Sequence, residues 1–369
     1  MHSRRLSPAL LCLAGLAVLI AGCGQGASAP TAMPTQAPPT STPAPTPTEA
    51  PPSTPTLVPT LAPLRERDIF DNDQGPVYSQ DWSPDGRLLA VAGHSQVKLW
   101  DIAPVPGTSH RLFVTLKEHT SYVWGLAWSP DGKTLASASE DGTVRLWQGA
   151  TYTASATLAT GWAFCVDWSP DGSRLAVGAM SGAVQVWDSA GREQLQSWKS
   201  TTSAPIISVA WSPGGEVIAS GELAGGITLW DTQTGQVQNT LAGYTTARSD
   251  VNGLAWSPDG HTLASAHQDG YVRLWGAQDG QLVRAIAAHT GWVRGVAWSP
   301  DGQVLASTGE DKRAILWDAA TGQWLTYVTH NRYPVWSVAW SPDGTKVATG
   351  SGVYDDVRPG VAIVWSVER

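Results

Sequence analysis

The sequence predicts an all-β protein built from seven copies of one antiparallel unit. A Trp-Ser-Pro-Asp-Gly motif returns every 40 to 46 residues, and a second tryptophan usually follows it 19 residues later, at the end of a β-branched run. Within the units, no segment shows convincing helical periodicity. The motif tryptophans are Trp82, Trp128, Trp168, Trp211, Trp256, Trp298 and Trp340, with Gly214 replacing the aspartate of the fourth copy. The second tryptophans are Trp100, Trp147, Trp187, Trp230, Trp275, Trp317 and Trp365.

The second unit shows how four strands fit into each repeat. The residues that end at Trp128 alternate in size, and Ser129-Pro130-Asp131-Gly132 supplies a type I turn that glycine closes. Asp141-Gly142 supplies the next tight turn. The predicted strands of this unit span residues 123–128, 134–138, 143–147 and 152–158.

Four short strands in a unit of about 40 to 45 residues is the period of a propeller blade. The predicted fold is therefore a seven-bladed β-propeller of four-stranded antiparallel blades. From residue 64 onward the chain resembles the WD-repeat family, both in its Ser-Pro-Asp-Gly turns and in strand-ending runs. Two such runs are Val144-Arg145-Leu146-Trp147 and Ile315-Leu316-Trp317-Asp318.

The resemblance implies a blade-stabilising set made of a histidine, a strand serine, a turn aspartate and a tryptophan. Two blades match it, at His119, Ser137, Asp141 and Trp147 and at His289, Ser307, Asp311 and Trp317. Other blades depart from it: Ala247 replaces the histidine of the fifth blade, Ser181 and Ala224 replace turn aspartates, and His330 lies one place out of register. We expect packing to be the main force in those blades.

The beginning of the chain is expected to complete the last blade, because the seventh unit stops at Arg369 just after its third strand. Within residues 64–70, Arg67-Asp68-Ile69-Phe70 has the alternation of a strand. Pairing of this strand with the last blade closes the ring and removes two exposed sheet edges.

The first 22 residues predict an export signal, in which Arg4 and Arg5 precede an apolar run at 10–20 that is too short to span a bilayer. The end of this run and the three residues after it, Leu19-Ile20-Ala21-Gly22-Cys23, resemble a bacterial lipobox, where the cysteine becomes the lipid attachment point. The resemblance implies lipid anchoring to a membrane of the bacterial cell envelope, on the extracytoplasmic side. An ordinary signal peptide and an uncleaved anchor are the alternatives.

A tether is predicted between the anchor and the propeller. From Gly24 to Pro63 the chain is nearly all Pro, Thr, Ala and Ser, with Glu49 as its only charge, so it cannot bury a core. The predicted organisation is a signal peptide at 1–22, a lipidated cysteine with a disordered tether at 23–63 and the propeller at 64–369.

Charge and motifs narrow the function. The net charge of −8 argues against a nucleic-acid partner. Because no nucleophile elbow, P-loop, zinc-ligand spacing or dinucleotide fingerprint occurs, we predict no catalytic residues, metal or cofactor. Asp81 and Asp167 stand where other units have alanine, and channel carboxylates or backbone-bonded residues are preferred to a catalytic pair. The acidic stretch 71–75 superficially resembles a calcium loop, but Trp82 stands where the bidentate acid belongs, so a plain turn is preferred.

Surplus aromatic residues collect where the inner strands begin, which WD-repeat proteins place at the top mouth of the channel. Two interpretations stay open: the rings pack neighbouring blades, or together with one guanidinium they bind a ligand. The predicted function is a protein-binding scaffold. The alternatives are capture of a glycan, peptide or small ligand and, less favoured, a hydrolytic enzyme. The candidate residues, named the rim, are Tyr78, Tyr122, Trp124, Trp162, Phe164, Trp292, Arg294 and Trp336.

Replacing Cys23 tests the predicted anchor. We expect the Cys23→Ser protein to be released from the membrane or to stall in processing, because the thiol that carries the lipid is gone. Detergent-phase partitioning and apparent size on a gel measure this, with Cys12→Ser, inside the signal peptide, as the control. Unchanged size and partitioning of Cys23→Ser would rule lipidation out.

Overall fold

A computed structural model describes most of the chain from residue 61 onward. The predicted signal peptide, Cys23 and most of the predicted tether lie outside the described residues, as do Ala224, Ala247 and part of the 71–75 stretch. The described ranges are 61–62, 64–72, 75–102, 111–190, 193–200, 202–223, 225–241, 249–330, 332–353 and 359–368.

Within these ranges the chain forms 28 β-strands and no helix. The described part accordingly contains no helix that could span a membrane. The strands are β1 Arg65–Asn72, β2 Ser79–Trp82, β3 Leu88–Ala92, β4 Val97–Asp101, β5 Arg111–Leu116, β6 Val123–Trp128, β7 Thr134–Ser139, β8 Thr143–Gln148, β9 Thr153–Ala159, β10 Ala163–Trp168, β11 Arg174–Ala179, β12 Ala183–Asp188, β13 Gln194–Lys199, β14 Ile206–Trp211, β15 Val217–Glu222, β16 Ile227–Asp231, β17 Val237–Leu241, β18 Val251–Trp256, β19 Thr262–His267, β20 Tyr271–Gly276, β21 Leu282–Ala287, β22 Val293–Trp298, β23 Val304–Gly309, β24 Arg313–Asp318, β25 Trp324–Thr329, β26 Val335–Trp340, β27 Lys346–Ser351 and β28 Gly360–Ser366.

The strands form seven antiparallel sheets of four strands each. Blade 1 consists of β2 to β5, blades 2 to 6 take the next strands in fours, and blade 7 has the order β1-β28-β27-β26. The innermost strands are β2, β6, β10, β14, β18, β22 and β26, and each contacts the innermost strands of its two neighbours around the ring. The predicted seven-bladed propeller is confirmed. In blade 2, the strand ends differ from the predicted ones by at most one residue.

The N-terminal strand closes the ring as the outer strand of blade 7. It runs antiparallel to β28, with Arg65 opposite Ser366 and Asn72 opposite Gly360. Phe70 is 1% exposed and lies in the core between blades 7 and 1. The predicted closure by the beginning of the chain is therefore confirmed.

The Ser-Pro-Asp-Gly turns lie at one end of the ring, named the turn face, and the inner strands begin at the opposite end, the rim face. In blade 2 the Gly132 N–H donates to the carbonyl of Ser129 at 2.8 Å. Asp131 accepts bonds from the Ser129 hydroxyl at 2.7 Å and the Lys133 N–H at 3.0 Å. The serine bond lowers the pKa of Asp131 to about 2. Gly132 has φ of +69°, which glycine adopts without strain.

These turns also lie next to one another from blade to blade. A Cβ atom added to Gly132 would lie 3.5 Å from the ring of Pro84 in the preceding blade, which is van der Waals distance. The glycine of each turn thus lies beside the proline of the turn before it. The glycine–proline pairs around the ring are Gly86 with Pro342, Gly132 with Pro84, Gly172 with Pro130, Gly215 with Pro170, Gly260 with Pro213, Gly302 with Pro258 and Gly344 with Pro300.

Deleting residues 64–71 tests the role of β1, because it removes the buried Phe70 ring and leaves β28 with an open edge. We expect the free energy of unfolding to fall by at least about 3–5 kcal/mol, the cost of one large core side chain. Deleting residues 30–60, which contribute no described strand, is the control and should leave the midpoint nearly unchanged. Urea denaturation followed by tryptophan fluorescence measures both, and equal midpoints would contradict the assignment.

Candidate functional site

The rim residues lie at the starts of the inner strands, on the rim face. Tyr78 immediately precedes β2, whereas Trp124, Phe164 and Trp336 are second residues of their strands and Arg294 is the second residue of β22. The remaining aromatic side chains stand two residues earlier in the connecting loops, at Tyr122, Trp162 and Trp292.

Tyr78 lies at the centre of a chain of ring contacts. Its ring centroid is 4.4 Å from that of Trp124, 5.7 Å from that of Trp336 and 5.8 Å from that of Tyr122. Trp124 extends the chain to Phe164 at 6.2 Å. Tyr78 is 7% exposed, and the other four side chains are half-buried. The rings of blades 7, 1, 2 and 3 therefore fix one another while keeping part of their surface open.

Arg294 is held between two rim tryptophans. Its Cζ lies 4.4 Å from the ring centroid of Trp292 and 4.2 Å from that of Trp336, so the cation contacts both rings. Its Nη2 donates to Oε1 of Glu310. Burial lowers the pKa of Arg294, and the charges of Glu310 and Asp250 oppose that shift. Stacking and ion pairing commit the guanidinium to the protein, so it is not a handle for an anionic ligand.

The structure brings seven of the eight rim residues together. Trp162 is half-buried, and its carbonyl accepts the N–H of Met180 at 2.8 Å, but none of the described ring contacts joins it to the others. The connected set is named the aromatic arc and consists of Trp292, Arg294, Trp336, Tyr78, Tyr122, Trp124 and Phe164.

Sequence reasoning missed Glu310, which fixes Arg294. Glu310 directly follows β23, and Glu140 directly follows β7 at the equivalent place in blade 2. The backbone N–H of each donates at 3.0 Å to the carbonyl of a rim residue, Trp292 in one blade and Tyr122 in the other. Aligning the seven units at the end of their second strands would have identified these acids as neighbours of the rim.

Comparison with known families assigns the repeat. The sequence profile of the family described as WD domain, G-beta repeat matches residues 65–101, 111–148, 151–188, 192–231, 235–276, 280–318 and 323–356. The chain belongs to the WD-repeat family. Each matched repeat begins with the outer strand of one blade and continues into the next blade, so consecutive blades share a repeat.

Curated relatives share short stretches with this WD-repeat chain. Protein SEH1 of Arabidopsis thaliana is 40% identical over 81 residues, which is 20% of this chain and 25% of that protein. Target of rapamycin complex subunit wat1 of Schizosaccharomyces pombe is 41% identical over 66 residues, 18% of this chain and 20% of that protein. Striatin-3 of Rattus norvegicus is 39% identical over 80 residues, 20% of this chain and 10% of that protein. The matches therefore span a quarter or less of each relative.

Two WD-repeat blades contain a continuous line of side-chain hydrogen bonds. In blade 2, Trp147 Nε1 donates to Ser137 Oγ at 2.8 Å. His119 continues the line, with Nε2 2.7 Å from Ser137 Oγ and Nδ1 2.7 Å from Asp141 Oδ2. Burial lowers the pKa of His119, so the neutral ring accepts from the serine and donates to the aspartate. Blade 6 repeats the line at 2.8–2.9 Å through Trp317, Ser307, His289 and Asp311.

Blades 5 and 7 also contain hydrogen-bonded sets, although their sequences depart from the full set; the expectation that packing is the main force in these blades stays a prediction. In blade 5, His267 at the end of β19 places Nε2 2.7 Å from Ser265 Oγ, which also accepts Trp275 Nε1 at 2.7 Å. In blade 7, His330 Nε2 lies 2.9 Å from Thr349 Oγ1, which accepts the indole of the closing tryptophan at 2.8 Å. In blades 5 and 7, a histidine at a different chain position therefore contacts the hydroxyl that occupies the place of Ser137 in blade 2.

Two aspartates join neighbouring blades at their inner strands. Asp81 Oδ2 accepts the backbone N–H of Trp128 at 2.7 Å, and Asp167 Oδ2 accepts that of Trp211 at 2.6 Å. The backbone-bonded interpretation of both residues is confirmed. Four other junctions have alanine instead, and the next motif indole donates to its carbonyl at 3.0–3.3 Å: Trp82 to Ala339, Trp168 to Ala127, Trp256 to Ala210 and Trp298 to Ala255.

These two aspartates predict a pH dependence of stability. Burial raises the pKa of Asp81 to about 7 and of Asp167 to about 6, against about 4 in the unfolded chain. Both bind a proton more tightly when folded, so stability falls as pH rises from about 4 to about 7. Since both keep some solvent contact, we expect a loss on the order of 1–3 kcal/mol. Urea unfolding across this range measures it.

The double variant Asp81→Ala, Asp167→Ala installs the alanine of other blades and should flatten that part of the pH profile. Turn aspartates such as Asp131, whose pKa is lowered, lose their stabilising effect only as pH falls from about 4 towards 2. The acid limb is therefore an internal control that both proteins should share. A double variant that loses stability as steeply as the wild type between about pH 4 and 7 would contradict the assignment.

Proposed function

We propose that this protein is a lipid-anchored, extracytoplasmic WD-repeat scaffold that binds a protein partner at its rim. The observation that carries the proposal is the aromatic arc, in which partly exposed rings are held by one another and by a buried guanidinium. Rigid rings offer a large contact area at small cost in side-chain entropy, which is why tryptophan and tyrosine dominate interface hot spots.

Charge at the rim favours a neutral or cationic surface on the partner. Arg294 is stacked and ion-paired, and its side chain is 7% exposed, whereas the side chain of Glu310 keeps 36% of its surface open. Asp250 adds further negative charge near Arg294. An anionic group would therefore approach open carboxylate surface and a cation that is already neutralised.

One relative supports an assembly role by its name. The wat1 protein of Schizosaccharomyces pombe is named as a complex subunit, and its similarity to this chain lies within one-fifth of its length. We extend to this chain only the general role of binding proteins within an assembly, which is also what the WD-repeat family favours.

A binding role is preferred to a hydrolytic one because titratable groups near the inner strands are already engaged. Glu310 is paired with Arg294, and burial raises the pKa of the Cys165 thiol, which disfavours a thiolate nucleophile. Among the described residues, no group of three or more His, Cys, Asp or Glu side chains is placed to hold a metal ion.

The route of the chain supports an anchor on the side opposite the rim. β1 begins at the turn face, where Arg65 lies opposite Ser366, and Leu61 packs in the same apolar cluster as Val367. The segment before residue 61 therefore joins the propeller at the turn face. A lipid on Cys23 would therefore be connected along the chain to the face opposite the rim, which leaves the rim free of the attachment point.

Replacing single rings of the arc tests the binding role. We expect Trp124→Ala and Trp336→Ala each to reduce partner capture from detergent-solubilised envelope by at least about 30-fold, as for interface hot spots. Stability should fall by less than the about 3–5 kcal/mol of a core tryptophan. Quantitative pull-down and urea unfolding measure the two effects.

The matched control is Tyr327→Ala, which removes a 43% exposed aromatic ring from the outer strand of blade 6. It should capture the partner as the wild type does. Undiminished capture by the rim variants, together with a stability loss of core size, would show that the arc only packs the blades together.

A further inference from the structure

A groove opens at the turn face between blades 1 and 2 and encloses a cavity of about 460 Å³. Its apolar lining consists of Leu88, Phe113, Trp128 and Tyr152, and we name it the 1/2 groove. The volume falls in the range of about 300–1,000 Å³ that is typical of ligand sites.

Two aromatic side chains line the open part of this groove. Phe113 is the extra residue of the bulge in β5 and is 38% exposed. It meets Tyr152 edge to face, with ring centroids 5.2 Å apart. Tyr152 has φ of +55°, a left-handed conformation that is costly for a bulky residue and is often found at functional sites.

The equivalent groove between blades 6 and 7 is partly occupied by the chain itself. Strand registers make Leu88 equivalent to Val304, Phe113 to Leu325, Trp128 to Trp340 and Tyr152 to Leu64. Leu61, from the segment before β1, packs against the cluster that contains Leu325 and Trp340. Leu325 is 8% exposed, and the cavity that remains at this junction is about 290 Å³.

Leu61 stands three residues before Leu64, whereas blade 2 has Gly149, without a side chain, three residues before Tyr152. Leu61 acts as an occupant supplied by the chain itself: a leucine on an uncharged segment, Thr-Leu-Val-Pro-Thr-Leu-Ala-Pro-Leu at 56–64. The margins of the 1/2 groove carry charges that are already paired within the protein, Arg87 with Asp101 and Lys133 with Asp131, both at 3.1 Å. An uncharged segment leaves both pairs intact.

We propose that the 1/2 groove is a second binding site, which takes a leucine-containing, uncharged segment of a protein partner. The leucine side chain contacts Phe113 and Tyr152 and buries apolar surface that is open in the free protein. The site lies on the face opposite the rim and does not depend on the rim being a binding surface.

The test uses the purified full-length protein and a fluorescein-labelled peptide of residues 56–64. Leu61 and Leu64 of the chain already pack at the junction of blades 6 and 7 at high effective concentration, so added peptide reports on the 1/2 groove. We expect saturable binding by fluorescence anisotropy and at least about tenfold weaker affinity for Phe113→Ser and for Tyr152→Asn. Both variants should fold, since blade 2 has Ser155 at the bulge and asparagine tolerates the left-handed conformation.

The matched control is Leu195→Ser, at the bulge of blade 3, where the leucine is 44% exposed; it should bind the peptide as the wild type does. A peptide with serine in place of all three leucines should bind at least about tenfold more weakly. The proposal is overturned by an absence of saturable binding up to about 1 mM peptide, or by equal affinity of the two groove variants and the wild type. A wild-type dimer that Phe113→Ser dissociates would also overturn it, because a second copy of the chain would then be the occupant.

Discussion

Closure of the ring depends on the contact between the inner strand of one blade and the motif tryptophan of the next. At the junction of blades 4 and 5, the Trp256 indole crosses to the carbonyl of Ala210 at 3.1 Å. Blade 5 is a donor on one side and an acceptor on the other, since Trp298 of blade 6 donates in turn to Ala255. The first and last blades are joined in the same way, where Trp82 of blade 1 donates to Ala339 of blade 7. The outer strand that the beginning of the chain gives to blade 7 joins the two ends of the ring a second time.

The period of the sequence was sufficient to predict the blades, because the signals that define it are local. The bonds among Ser129, Asp131 and Gly132 join residues within four positions of one another, so the local sequence is sufficient to predict the turn. The hydrogen-bonded sets of blades 5 and 7 could not be read in this way. Whether His267 reaches Ser265 depends on side-chain direction in the folded sheet, which linear register does not contain. Whether the rim residues pack the blades or bind a partner depends on how far their side chains are exposed, and the binding role stays a prediction.

Departures from the repeat divide the rim into two unlike parts. The aromatic arc covers blades 6, 7, 1, 2 and 3, whereas blades 4 and 5 place Ile207 and Asn252 at the equivalent positions. Asn252 Nδ2 donates to the Val293 carbonyl of the next blade at 2.8 Å, so its amide serves the junction between blades. A sevenfold ring of identical residues would accept a partner in any of seven rotations. The unequal parts of the rim favour a single rotation of a bound partner, which is what an ordered assembly requires.

The N-terminal segment serves two parts of the ring at once. Its first described residues pack against the apolar cluster between blades 6 and 7, and the next residues form β1, so one short stretch both covers apolar surface and completes a sheet. β1 pairs with β28 from Arg65 opposite Ser366 to Asn72 opposite Gly360. Phe70, near the far end of β1, is 1% exposed and lies in the core between blades 7 and 1. The strand is therefore held both by backbone pairing and by burial of an aromatic ring, and it covers the edge that β28 would otherwise expose.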